Sequence, residues 1–229
     1  MTRMKAIGGA LALLVVAALA VWPAAAADKG GPKNIFADAP MAPAASWTGA
    51  YVGLHGGYGA ANAELTVPGF GIDGLSATGP VGGIHAGYDV QIPGSFLVLG
   101  ARAGYTWGNV EFSVNPAIFN ASIDNGWAAD GRIGAAIGSA LPYVFGGWTV
   151  MNTSATAGTV GIPTPDLKGW RGGAGVEFRL PKLGTGSITP TLALEYTYTD
   201  FQRITPFVPL NVDVTQQTMM GRLNLRFGQ

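Results

Sequence analysis

Cysteine is absent from this 229-residue chain, which excludes disulfides and thiolate metal sites. Charge is scarce as well. Only 11% of residues are charged and the formal net charge is zero, whereas ordinary globular domains carry about 25% charged residues. A surface built from so few charges does not all face water. With no basic stripe, the sequence excludes a nucleic-acid partner. Long apolar runs are missing too, since beyond the N-terminus none approaches the ~20 residues of a membrane helix. An apolar surface without spanning helices leaves a closed barrel, because lipid tolerates no open sheet edge. The 36 glycines, spread along the chain, disfavour helices.

What is present is alternation. Eight segments read as strands, at about 49–60, 79–92, 95–108, 126–138, 141–152, 169–180, 190–200 and 214–227. Successive side chains of a strand point to opposite faces. In the third segment Leu97, Leu99, Ala101, Ala103, Tyr105 and Trp107 oppose Gly100, Arg102, Gly104 and Thr106. In the last, Met219, Leu223, Leu225 and Phe227 oppose Arg222, Asn224 and Arg226. Ten charged residues (Asp89, Arg102, Asp130, Arg132, Arg171, Glu177, Arg179, Glu195, Arg222 and Arg226) share one parity within their segments. The expectation is one face free of charge and one that collects it. An Arg facing lipid at the bilayer midplane costs ~2–4 kcal/mol, so a membrane barrel requires this pattern. A soluble sandwich would show the same alternation, and parity alone does not separate the two.

Connections and aromatics separate them. The links at Pro93-Gly94, at Ser139-Ala140 and from Pro181 to Ser187 are short; those at 61–78, 109–125, 153–168 and 201–213 are long. Strict alternation of short and long is the pattern of periplasmic turns and extracellular loops. On the apolar parity, Tyr58, Trp107, Trp127, Trp170 and Tyr198 fall near one end of their strands, and Tyr88, Phe178 and Phe227 near the other. Two aromatic belts suit the two headgroup levels of a bilayer. The expected fold is all-β, an eight-stranded antiparallel up-and-down transmembrane β-barrel.

Three regions follow. Arg3 and Lys5 precede an apolar run from Ala6 to Val21, then Pro23 and alanines to Ala27. This is the layout of a cleaved secretory signal over residues 1–27, with cleavage after Ala26 or Ala27; the run is short for a membrane anchor. Residues 28–46 are Pro- and Ala-rich without periodicity and read as a flexible periplasmic linker. The barrel occupies 47–229. Export followed by membrane insertion places the chain in the cell outer membrane.

Several stretches carry a family resemblance. They are Trp47-Thr48-Gly49-Ala50-Tyr51-Val52-Gly53, Gly131-Arg132-Ile133-Gly134, Leu141-Pro142-Tyr143-Val144, Gly169-Trp170 with Gly173-Ala174-Gly175-Val176-Glu177, and the tail Gly221-Arg222-Leu223-Asn224-Leu225-Arg226-Phe227. Together they resemble the small outer-membrane β-barrels that include the OmpA transmembrane domain and OmpX. More closely, they resemble the Gram-negative subfamily labelled "porin family" or outer membrane immunogenic protein. The resemblance implies a barrel among outer-membrane lipid and lipopolysaccharide, inserted by the barrel-assembly machinery. That machinery reads a terminal aromatic; here Phe227 is followed by Gly228 and Gln229. Some members are tethered to peptidoglycan through the mature N-terminus, which cleavage after Ala26 would expose as Ala27-Asp28.

An eight-stranded barrel is just wide enough for its own side chains. The expected lumen network comprises Arg102, Asp130, Arg132, Arg171, Glu177, Glu195, Arg222 and Arg226, with Asp89 and Arg179 on the same parity. Matching strands about their connections puts Asp130 opposite Arg102, and Arg171 close to Glu195. His55 and His85, the two histidines, also fall nearly opposite each other. Two imidazoles are fewer than the three protein ligands zinc normally takes, so no metal or cofactor is expected. No G-x-S-x-G occurs, and no Ser and acid stand suitably by a histidine. The reading is a non-enzymatic barrel that contributes to envelope integrity and displays surface loops. Its alternatives are a narrow small-solute channel, and adhesion or ligand (for example heme) binding through loops carrying Phe70, Ile72, Ile118 and Phe119.

Overall fold

The structure is a computed structural model that describes residues 46–67, 70–115, 119–157, 160–162, 164, 166–180, 188–202, 204–207 and 210–228. Among these there is no helix. The strands are β1 (Gly49–Val67), β2 (Phe70–Gln91), β3 (Leu97–Asn115), β4 (Phe119–Ala135), β5 (Ala140–Ala157), β6 (Val160–Ile162), β7 (Leu167–Arg179), β8 (Ile188–Phe201), β9 (Ile204–Phe207) and β10 (Leu210–Phe227). Eight of them form the wall, in the order β1-β2-β3-β4-β5-β7-β8-β10. Pairing of β1 with β10 closes the sheet from Tyr51↔Arg226 to Thr66↔Asn211. Every neighbouring pair is antiparallel, so the wall is an up-and-down barrel with no free edge.

The short strands β6 and β9 add only to β5 and β10. They lie at the barrel end opposite Trp47 and Gly228. The segments expected as long loops are largely strand. β1 and β2 stay paired out to Val67↔Phe70, and β3 and β4 out to Asn115↔Phe119. These arms lost their alternation to the eye because no bilayer forces one face to be apolar, yet their backbones still satisfy each other across the ladder. Ile118 lies outside the described residues, as do the proposed signal and linker up to Ala45. At the other end the turns are tight, and Gly94 (φ 72°) and Gly138 (φ 60°) supply the left-handed residue that each needs.

The outward face carries exposed Val52, Leu54, Ile84, Leu99, Ile133, Val144, Leu192, Leu194, Leu223 and Leu225. Both aromatic sets point outward, and Trp148, the Cα partner of Trp170, joins the belt at the arm end. One charge departs from the expected parity. Asp200 ends the seventh segment, pairs with Trp170 and faces outward with it. It sits at the belt level, where a charge costs only ~0–1 kcal/mol against several at the midplane. Inside, small residues make room for large ones. A side chain at Gly87 would collide with the Tyr51 hydroxyl, and one at Gly173 would come within 2.6 Å of the Phe145 ring. Many of the glycines therefore mark places where a neighbour fills the lumen.

Candidate functional site

The lumen is stacked in levels. Nearest the termini, Trp47 is fully buried beneath the barrel mouth, held by its N–H to Gln91 Oε1 (2.9 Å). Arg179 stacks over its ring with Cζ 4.0 Å from the centroid. Above it four charges join. Arg132 donates through Nε to Asp89 Oδ1 (2.8 Å) and through Nη1 to Glu177 Oε2 (3.1 Å), with a further Nη2 contact to Asp89. Arg226 donates to Asp89, to Glu177 Oε1 (3.1 Å) and to the Trp47 carbonyl (3.1 Å). Each guanidinium thus meets both carboxylates, and the four form a closed ring. Thr191 Oγ1 (2.6 Å) and Asn224 Nδ2 (3.0 Å) complete the shell of Glu177. The Tyr51 and Tyr143 rings flank Arg132 at 4.8 and 5.0 Å, an arrangement that shields the ring from water and adds cation–π attraction.

The next level is a chain of five charges. Arg171 donates to both oxygens of Asp130. Arg102 donates to Asp130 Oδ2 (2.9 Å) and to Glu195 Oε2 (2.7 Å). Arg222 donates to Glu195 Oε1 (2.7 Å), and Tyr143 adds its hydroxyl to Glu195 Oε2 (2.8 Å). Arg102 and Asp130 are direct Cα partners across β3 and β4. The expected Arg171–Glu195 pair does not form. Arg171 faces Thr199, four residues further along β8 than Glu195, while Glu195 faces Gly175. Matching about 181–187 already sets Arg171 opposite Thr197, two residues past Glu195; the true register adds two more, and Arg171 turns to Asp130 instead.

The histidines join the ring through Asn224. His55 Nδ1 lies 3.3 Å from His85 Nδ1, His55 Nε2 lies 3.1 Å from Thr106 Oγ1, and His85 Nε2 lies 2.7 Å from Asn224 Oδ1. With both imidazoles neutral, the protons have one consistent direction. Thr106 donates to His55, His55 to His85, His85 to Asn224, and Asn224 to Glu177. The pair is thereby committed to hydrogen bonding, and among the described residues no group of three or more His, Cys, Asp or Glu could hold a metal ion.

At the arm end the lumen turns apolar. Val81, Val110, Ile123, Met151, Phe201 and Met220 cluster inside and are buried. This cap is absent from the sequence expectation, although a signal for it exists. The lumen parity of β1, β2, β3, β5, β7, β8 and β10 carries on to Ala61, Ala77, Val110, Met151, Leu167, Phe201 and Val214, at or just beyond the segment ends. Only Ile123 is displaced, by the register shift between Ile123 and Gly126. Buried Trp47 and Thr191 also escaped the charge-based reading, since neutral residues leave no charge signal of their own; Asn224 was placed on the lumen parity without a role in the network.

Known proteins can now be set beside this geometry. No curated protein matches the sequence. Among solved structures, Neisserial surface protein A shares 16% identity over 76% of this chain and 97% of its own, with a TM-score of 0.46. OprG from Pseudomonas aeruginosa shares 12% over 80% and 97%, with a TM-score of 0.43. Ail, the attachment invasion locus protein of Yersinia pestis, shares 12% over 76% and 99%, with a TM-score of 0.38. The family model described as the outer membrane protein beta-barrel domain matches residues 11–227, nearly the whole sequence. With that match and a closed wall of eight antiparallel strands, the chain belongs to the outer membrane protein beta-barrel domain family.

Proposed function

We propose that the protein is a non-enzymatic, non-conducting barrel that contributes to the integrity of the outer membrane and presents its strand arms at the cell surface. One observation carries this reading: the lumen is blocked twice, by interlocked charges and by an apolar cap. A solute crossing the barrel would have to part Arg132 and Arg226 from Asp89 and Glu177. It would also have to separate Arg102 from Asp130 and Glu195. Breaking a buried pair leaves an uncompensated charge at a cost of ~3–5 kcal/mol, and several such pairs stand in the way. An apolar cluster then bars hydrated solutes from the other end.

In this reading, outer-membrane lipid and lipopolysaccharide surround the outward apolar band. The barrel-assembly machinery takes Phe227, which points outward at the end of β10, and the segment before Trp47 is the part available for a peptidoglycan contact. Refolded protein in a planar bilayer should give no steady conducting level, and cells lacking it should become more sensitive to detergent. A reproducible open level would establish the narrow channel instead.

A further inference from the structure

Between the charge chain and the apolar cap lies a small cavity of about 40 Å³. A water-sized particle needs roughly 10–15 Å³ by this measure, so there is room for only a few. Its wall combines hydrogen-bond donors with apolar groups. Arg171, Thr197, Thr199, Thr218 and Gln216 line it, and Met151, Phe201 and Met220 close it; no carboxylate is among its lining residues. Thr197 is 3% exposed, and its Oγ1 is buried without a hydrogen-bond partner.

Charge bookkeeping points to the same place. The ring nearer the termini is itself neutral, two guanidiniums against two carboxylates, with Arg179 stacked on Trp47 beside it. The chain is not. It sets three guanidiniums, Arg102, Arg171 and Arg222, against the two carboxylates Asp130 and Glu195. Arg171 and Arg222 are the two ends of that chain, and Arg171 is the member that lines the cavity. A guanidinium does not deprotonate in a protein, so the surplus cannot be shed by titration. A buried charge without compensation is costly. Water would satisfy the hydroxyls and leave the surplus untouched.

We propose that the cavity beside Arg171 is a binding site for a small monovalent anion of halide size, held by the guanidinium and the threonine hydroxyls. The cavity volume excludes bulky organic anions, and the single surplus charge selects a single negative charge.

The test uses the full barrel refolded in detergent and a matched pair of salts, sodium bromide and sodium gluconate, at one ionic strength. Bromide should raise the urea midpoint saturably while gluconate does not, since a ligand that binds only the folded state stabilises it. Crystals grown in bromide should show an anomalous peak in the cavity. Thr197→Val keeps the side-chain shape and removes one donor, and should shift the bromide response to about tenfold higher concentration, the size of one hydrogen bond to a charge. Arg171→Gln removes the surplus and should abolish the response. Ordered water in the cavity with no anomalous signal, together with equal midpoints in the two salts, would overturn the proposal.

Discussion

The lumen holds two charge assemblies built from the same residue types and joined in different ways. Asp89, Arg132, Glu177 and Arg226 form a ring in which each member has two oppositely charged neighbours. Arg171, Asp130, Arg102, Glu195 and Arg222 form a line in which only the inner three do. The ring sits against Trp47, between the Tyr51 and Tyr143 rings. The line opens at Arg171 onto a cavity. A closed circuit shares every loss among members already in contact, and an open one has ends that can be cut cheaply. Connectivity, more than the number of charges, should then set what each residue is worth.

The largest expected effect tests the ring. Glu177 receives Arg132, Arg226, Thr191 and Asn224, so Glu177→Gln leaves two buried guanidiniums sharing Asp89. A loss of ~3–5 kcal/mol is expected in urea unfolding. Arg102→Gln, at the centre of the line, takes one partner from each of Asp130 and Glu195, which keep Arg171 and Arg222, and should cost less than Glu177→Gln. Arg171→Gln should cost less, about 1.5–3 kcal/mol for the charged hydrogen bonds lost, because Asp130 keeps Arg102. If Arg171→Gln matched Glu177→Gln, the distinction between ring and line would be lost.

Coupling energies sharpen the comparison further. A double-mutant cycle on Arg102 and Asp130 should return ~0.5–3 kcal/mol of interaction, as contacting residues in one network do. A cycle on Arg171 and Glu195 should be additive within ~0.3–0.5 kcal/mol, since these two share no bond and are joined only through Asp130 and Arg102. Strong direct coupling there would mean that the β7–β8 register brings Arg171 beside Glu195.

That register marks the limit of what the sequence reveals. The wall was legible because lipid imposes a rule on every outward residue, and Leu54, Ile84, Leu192 and Leu223 obey it. Counting inward from 108 and 126 sets Arg102 opposite Arg132, two residues from its true partner, because the β3–β4 register shifts between Trp107 and Val110 and between Ser113 and Asn115; the Arg102–Asp130 pair was legible only as near neighbours. Counting across 181–187 sets Arg171 opposite Thr197, two residues short of Thr199, and there the error decides the partner. The arms were read as loops because strand pairing outside the bilayer depends on backbone hydrogen bonds, which leave no side-chain signature. Closure of the ring was not legible either. Asp89 on β2, Arg132 on β4, Glu177 on β7 and Arg226 on β10 meet across the lumen, and parity says which residues face inward without saying how high each reaches.

The smallest effect discriminates most finely, because it compares one substitution at two heights. Thr191 and Thr199 lie on β8 with the same inward parity, and both are buried. Thr191 donates to Glu177 at 2.6 Å inside the ring. Thr191→Val removes a hydrogen bond to a charge and should cost ~1.5–3 kcal/mol. Thr199 lines the cavity beside Arg171. Thr199→Val, measured in gluconate so that no halide is present, should change stability by no more than about 0.5 kcal/mol. The methyl that replaces its hydroxyl enters a cavity that Met151, Phe201 and Met220 also line. Equal losses at the two threonines would show the level beside Arg171 to be as tightly interlocked as the ring. A near-silent Thr199 beside a costly Thr191 would locate the loosely filled part of the lumen at the open end of the charge line.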